Sequence, residues 1–102
     1  MTEGSWSNLV VLEARPGSEK SLEDILSQFT LSFRDLQGCL QYDCFQSFEN
    51  PSRFMLQMRF ANASCLQDHL RAHDLMRFFE QVSSLSLTLD LESVYRAFAP
   101  SE

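Results

Sequence analysis

The chain holds two histidines, His69 and His73, four residues apart. An imidazole titrates near neutrality, so a histidine over an apolar cleft is suited to act as a general base. The residues just before them offer such a cleft. Phe54, Leu56, Met58 and Phe60 fall at every second position of residues 53–60, which puts all four on one face of a strand. From Cys65 the period changes, and Cys65, Leu66, His69, Leu70 and His73 make one stripe of a helix. Asn62, between the two, is a natural N-cap. A short helix lying back over its own strand sets His69 above an apolar floor of Phe54, Leu56, Met58 and Phe60, with Phe78 and Phe79 as further walls. His69 is then the candidate base, His73 stands at the mouth, and Tyr42 and Asn62 hold or orient a substrate oxygen.

The same residues also have plainer readings. Alternating apolar side chains on a strand are core more often than a substrate box, and a helix histidine facing a sheet is commonly a packed, hydrogen-bonded one. Asn62 has a sufficient structural task as a cap. Cys65, His69 and His73, at i, i+4 and i+8, would form a transition-metal set, but no fourth ligand is evident and no glutamate stands beside the first histidine. No metal is therefore expected. Cys44 and Cys65 read as buried small hydrophobes rather than nucleophiles.

The elements that must position these residues follow from the rest of the chain. At 102 residues, 44% hydrophobic with nine Phe, the sequence is one globular domain, 1–102, with a core over about 6–98 and a short tail at 99–102. Net charge is −6 and the eight Lys and Arg do not cluster, which excludes nucleic acid and anionic membrane as main partners. No signal peptide or membrane span is legible. Three cysteines, with Cys39 and Cys44 expected on opposite faces of one strand, suggest reduced thiols and a cytoplasmic setting.

Residues 6–14 read as a strand ended by Arg15-Pro16-Gly17. Ser18 is placed to cap an amphipathic helix of about five turns, with Leu22, Ile25, Leu26, Phe29, Phe33 and Leu36 on its apolar stripe, stopped by Gly38. Residues 39–48 form a second strand with Leu40, Tyr42 and Cys44 on one face. Glu49-Asn50-Pro51-Ser52 turns the chain into the 53–60 strand. After the histidine helix, Asp74 is placed to cap another helix, and residues 85–98 alternate Leu85, Leu87, Leu89 and Leu91 against polar residues. The order β-α-β-β-α-β is that of a ferredoxin-like α+β sandwich, a four-stranded antiparallel sheet with helices on one face. The opposite face mixes Met55 and Phe45 with Arg53, Gln57, Arg59 and Asp43, too apolar to be wholly wet, and predicts a homodimer packed sheet to sheet.

Four short motifs, Arg15-Pro16-Gly17, Gly38-Cys39-Leu40-Gln41-Tyr42, Pro51-Ser52-Arg53-Phe54 and His69-Leu70-Arg71-Ala72-His73, fall in order on this pattern. Together they resemble the antibiotic biosynthesis monooxygenase (ABM) family of dimeric α/β-barrel proteins, over about Leu9 to Tyr95. The resemblance implies a homodimer whose two sheets form a barrel, and a pocket in each subunit between sheet and helices. It also implies one of several activities: oxygenation of polycyclic aromatic ketones or quinols without metal or flavin, haem degradation, or handling of a phosphorylated sugar. Many members carry Trp where this chain has Phe60. The haem-degrading branch resembles it least, having Trp at the position of His69, His at that of Phe79 and Asn at about Val10.

Cofactor-free oxygenation needs a substrate that ionises to a phenolate or enolate and gives an electron to O₂, in a dry pocket with a base and donors for the anion. The candidate residues match those needs. The sequence thus favours a cofactor-independent monooxygenase acting on an aromatic or quinol-like small molecule. A non-catalytic dimeric binding module and a non-oxidative enzyme such as an isomerase are the alternatives. A phosphorylated substrate would draw on Arg71 and Arg77.

Overall fold

A computed structural model describes residues 4–91 and the backbone of 95–96, with the side chains of residues 4–90. The elements run β1 (Trp6–Ala14), α1 (Glu19–Phe33), β2 (Cys39–Gln46), β3 (Arg53–Phe60), α2 (Ala63–Leu70), α3 (His73–Leu85), β4 (Ser86–Leu91) and the short β5 (Tyr95–Arg96). The sheet order is β2-β3-β1-β4, antiparallel throughout, with β5 added against the start of β1. This is the ferredoxin-like α+β architecture that the periodicities predict.

Burial follows the period of two where the strands are regular. In β3 every inward residue, Phe54, Leu56, Met58 and Phe60, is buried, while Arg53 is exposed and Met55, Gln57 and Arg59 are half-covered on the other face. In β1, Val10, Leu12 and Ala14 face inward. The helices supply Leu22, Leu26, Phe33, Leu66, Leu75, Phe78 and Val82 to the same core. Removing this much apolar surface from water is the main drive for folding a domain of this size.

Several local expectations are revised. α1 ends at Phe33, one turn short of Leu36, and Ser18 occupies its N-cap position without a side-chain cap bond. The Glu19 carboxylate does that work instead. It accepts from the Gly17 N–H at 3.0 Å and from the Ser52 hydroxyl at 3.1 Å, tying the helix start to the β2–β3 turn. These hydrogen bonds, led by the one from Glu19's own N–H, hold its carboxyl below the usual range. Gly38, expected to stop the helix, instead turns the chain into β2 with φ +76°. α3 is capped at Ala72, not Asp74, and extends to Leu85, so β4 begins at Ser86. Residues 92–94 and 97–98 of the expected last strand lie outside the described residues.

Two bulges account for the larger departures. β2 shifts register between Cys39, opposite Phe60, and Gln41, opposite Arg59, which turns Leu40 out to solvent. Beyond the bulge Tyr42 opposes Met58 and Cys44 opposes Leu56, so Cys39 and Cys44 both register with inward residues rather than pointing to opposite faces. They are free thiols, as is Cys65. A second shift, between Glu13 and Ala14 of β1, leaves Leu87 of β4 unmatched and exposed where the alternation had placed it in the core.

A Cβ added at Gly38 would stand 2.5 Å from Cys65 Sγ and 2.9 Å from its Cβ. Gly38→Ala therefore combines a left-handed backbone with an impossible contact, and is expected to cost about 2 kcal/mol or more in urea unfolding. A loss well under 1 kcal/mol would show that α2 shifts freely to make room.

Candidate functional site

The site centres on His69, at the last turn of α2. Asn62 caps that helix as the sequence predicts, its Oδ1 accepting from the Cys65 N–H at 2.9 Å. With the start of the helix fixed, His69 falls on its buried side beside Leu66. The imidazole is 2% exposed, and its Nε2 lies 3.0 Å from the Tyr42 hydroxyl. Tyr42, itself 1% exposed, reaches inward from β2 because the Leu40 bulge restores its alternation. Arg34, just past α1, fixes the backbone there: its Nε donates to the Tyr42 carbonyl at 2.8 Å and its Nη2 to Asp43 Oδ1 at 2.9 Å.

Rings close around the pair. Phe60 lies 5.3 Å from the His69 ring at a 30° tilt, and Phe33 meets it edge-on at 4.8 Å. Phe33 also contacts Tyr42 and Phe78, and Phe29 contacts both Phe33 and Phe78. In this enclosure the charged forms are disfavoured. Burial pulls the His69 pKa from its ordinary 6.5 down to about 4, and pushes the Tyr42 phenol far above its ordinary value. Both are neutral at pH 7. The other imidazole nitrogen, Nδ1, is buried with no hydrogen-bond partner among the described residues, and the same holds for the Thr30 hydroxyl on α1. Burial likewise raises the Cys44 thiol to about 11 and that of Cys39 above its usual value, which leaves neither a ready nucleophile.

The predicted site residues divide. His69, Tyr42 and Phe60 come together, and Phe78 joins them through Phe33. Phe54, Leu56, Met58 and Phe78 are at most 2% exposed and belong to the closed core, and Phe79 is half-buried against it. Asn62 is engaged by its cap bond. His73 is not on the His69 stripe. The chain breaks at Arg71–Ala72, and His73 opens α3 as an exposed residue. Cys65, His69 and His73 are thus not set at i, i+4 and i+8 of one helix, and among the described residues no three His, Cys, Asp or Glu side chains are grouped to hold a metal.

Phe33 and Phe29 belong to the site although the histidine stripe gave no hint of them. Their signal was present as the four-residue spacing on α1. Both line a hollow of about 310 Å³ between α1 and α3, with Gln28, Ser32, Asp74 and Arg77. A second hollow, about 290 Å³, lies outside Tyr42 among Arg34, Cys39, Leu40, Gln41 and Asp43. Arg77, the cation looked for at a phosphate site, sits 3.6 Å from Asp74 in an exposed ion pair. Arg71 is exposed.

Comparison with known proteins identifies the lineage. The sequence profile described as antibiotic biosynthesis monooxygenase matches residues 7–81. The chain belongs to the ABM family. Solved structures carry the same fold at low identity. A candidate ABM protein from Deinococcus radiodurans superposes with a TM-score of 0.87 at 18% identity, over 95% of this chain and 96% of that one. Another from Nitrosomonas europaea gives 0.85 at 13%, over 100% and 98%. SnoaB, a cofactor-independent oxygenase from Streptomyces nogalater, gives 0.82 at 9%, over 95% and 96%. No curated protein matches the chain. The ABM chain therefore shares its fold with SnoaB.

Because the folded His69 pKa is depressed, its contribution to stability is complete above pH 6.5, where folded and unfolded forms are both neutral. As pH falls the unfolded chain takes up the proton first, so stability drains between 6.5 and 4 and levels off below. Urea unfolding across that window is expected to show wild type losing about 3 kcal/mol relative to His69→Gln. A constant difference between the two proteins would mean that His69 is not shielded.

Proposed function

We propose that this ABM protein oxygenates an electron-rich aromatic or quinol-like small molecule, without metal or flavin, at the buried His69–Tyr42 pair. The observation that carries this reading is the enclosure: two polar side chains joined by a 3.0 Å hydrogen bond, walled by Phe33 and Phe60, in a family of monooxygenases. In such a reaction the substrate is the source of the electrons. For a ring methylene, R₂CH₂ and O₂ give R₂C=O and H₂O, one oxygen atom entering the substrate and the other leaving as water with both hydrogens. The protein's share is to favour the ionised substrate, orient it, and keep water from its reactive intermediates.

The low pKa of His69 makes it a weak proton acceptor at neutral pH. That observation favours a second reading, a non-catalytic module that binds the same class of molecule. A non-oxidative enzyme for phosphorylated sugars draws less support, since Arg77 has Asp74 beside it.

Oxygen consumption separates the first two readings. With metal-stripped protein and a panel of anthrones, naphthols and hydroquinones, uptake above autoxidation is expected, falling at least tenfold in His69→Ala. Binding of the same compounds without uptake would replace the oxygenase by the binding module.

We also infer a homodimer through the outer sheet face. Val11, Phe45 and Met55 border a shallow, mainly apolar hollow of about 390 Å³ there, and Phe45 is 43% exposed. A second copy of that face would cover this surface. Light scattering at micromolar concentration is expected to give twice the chain mass, and Phe45→Glu to shift the protein towards monomer. A monomer mass for the unaltered chain would exclude the assembly.

A further inference from the structure

The Tyr42–His69 bond has a direction that the balance of donors and acceptors fixes. The Tyr42 hydroxyl carries one hydrogen, and a neutral imidazole carries one, on either Nδ1 or Nε2. If Nε2 held it and donated to the Tyr42 oxygen, the buried hydroxyl hydrogen would be left without an acceptor and Nδ1 would be a bare lone pair. If Tyr42 donates to Nε2, the hydroxyl hydrogen is used, and a single donor, Nδ1–H, stays unpartnered. The second arrangement leaves fewer buried groups unsatisfied and is the stable one. His69 then offers the interior an N–H and has its basic nitrogen occupied.

A buried N–H of this kind can donate to a ligand oxygen, and Phe33 links the imidazole to the surface. Its ring stands 4.8 Å from the His69 ring, and the same residue lines the α1–α3 hollow. The hollow has an aromatic floor of Phe29 and Phe33, polar Gln28 and Ser32, and an Asp74–Arg77 pair whose charges offset each other. Its volume, near 310 Å³, is at the small end for small-molecule sites. These features select a neutral ligand of two or three rings rather than an anion or a long chain.

We propose that His69, held by Tyr42 as its Nδ1–H tautomer, donates a hydrogen bond to the acceptor oxygen of a neutral aromatic ketone or phenol that arrives from the α1–α3 hollow as the Phe33 ring swings aside. His69 touches the ligand, Tyr42 is a positioning residue, and Phe33 is the gate. The proposal rests on the small-molecule site described above but not on its oxygenase chemistry. It differs from a base role for His69 in that the imidazole gives a hydrogen bond and receives no proton from the substrate.

The test uses two probes of one skeleton, 1-tetralone with a carbonyl oxygen and tetralin without, together with long-range ¹H–¹⁵N spectra of the imidazole. In wild type the spectra are expected to show the Nδ1–H tautomer. Tetralone should bind about tenfold tighter than tetralin, the usual worth of one buried hydrogen bond. Tyr42→Phe should move the proton to Nε2 and shrink that preference, and His69→Phe should abolish it. Phe33→Ala, or Phe33→Leu if the first variant is poorly folded, should raise the association rate of both probes severalfold. An Nε2–H tautomer in wild type, equal affinity for the two probes, or unchanged association rates in both Phe33 variants would each overturn the proposal. Tetralone preference without oxygen uptake on the substrate panel would sink the oxygenase reading alone, whereas uptake with no such preference would sink this one alone.

Discussion

The molecule is arranged around one hydrogen bond in an apolar interior. Tyr42 comes from β2, His69 from α2, Phe33 from α1, Phe60 from β3 and Phe78 from α3, and their rings meet in a single cluster. A hydroxyl and an imidazole buried among phenylalanines are tolerable only if each finds a partner. That requirement fixes where β2 lies against α2. The two elements are also tied by Ala61 donating to the Gly38 carbonyl at 2.8 Å and by the close seat of Cys65 on Gly38. The remaining helices then have a defined surface to cover.

The two faces of the sheet answer different demands. The inner one is filled to closure, with Val10, Leu12, Leu56 and Phe60 fully buried. The outer one alternates half-covered Val11 and Met55 with charged and amide side chains, as a surface does that is neither core nor fully solvated. The side chains whose titration burial moves furthest, His69 and Tyr42, lie on the inner side.

Much of this was legible in the sequence because it rests on periodicity. The 53–60 strand, the apolar stripe of α1 and the Asn62 cap follow from spacing alone, and with them the fold; the direct bond between Tyr42 and His69 does not. What spacing does not carry is a change of register. The bulge at Leu40 resets which residues of β2 face inward, and so revises Cys39 and Leu40 while sparing Tyr42. The bulge opposite Leu87 does the same to β4. The helical stripe through His73 failed for a related reason. Leu70 to His73 keep helical spacing on paper, but Ala72 takes an extended backbone at ψ 143°, and α3 starts afresh in its own direction. Phe33 was visible as core and not as a wall of the site, since only tertiary packing brings its ring to His69.

The seat of Cys65 on Gly38 ties two positions that lie far apart in the chain. The sulfur lies where a Cβ on residue 38 would have to stand, so the glycine can gain a side chain only if residue 65 gives up bulk. The two positions are therefore expected to change together rather than singly.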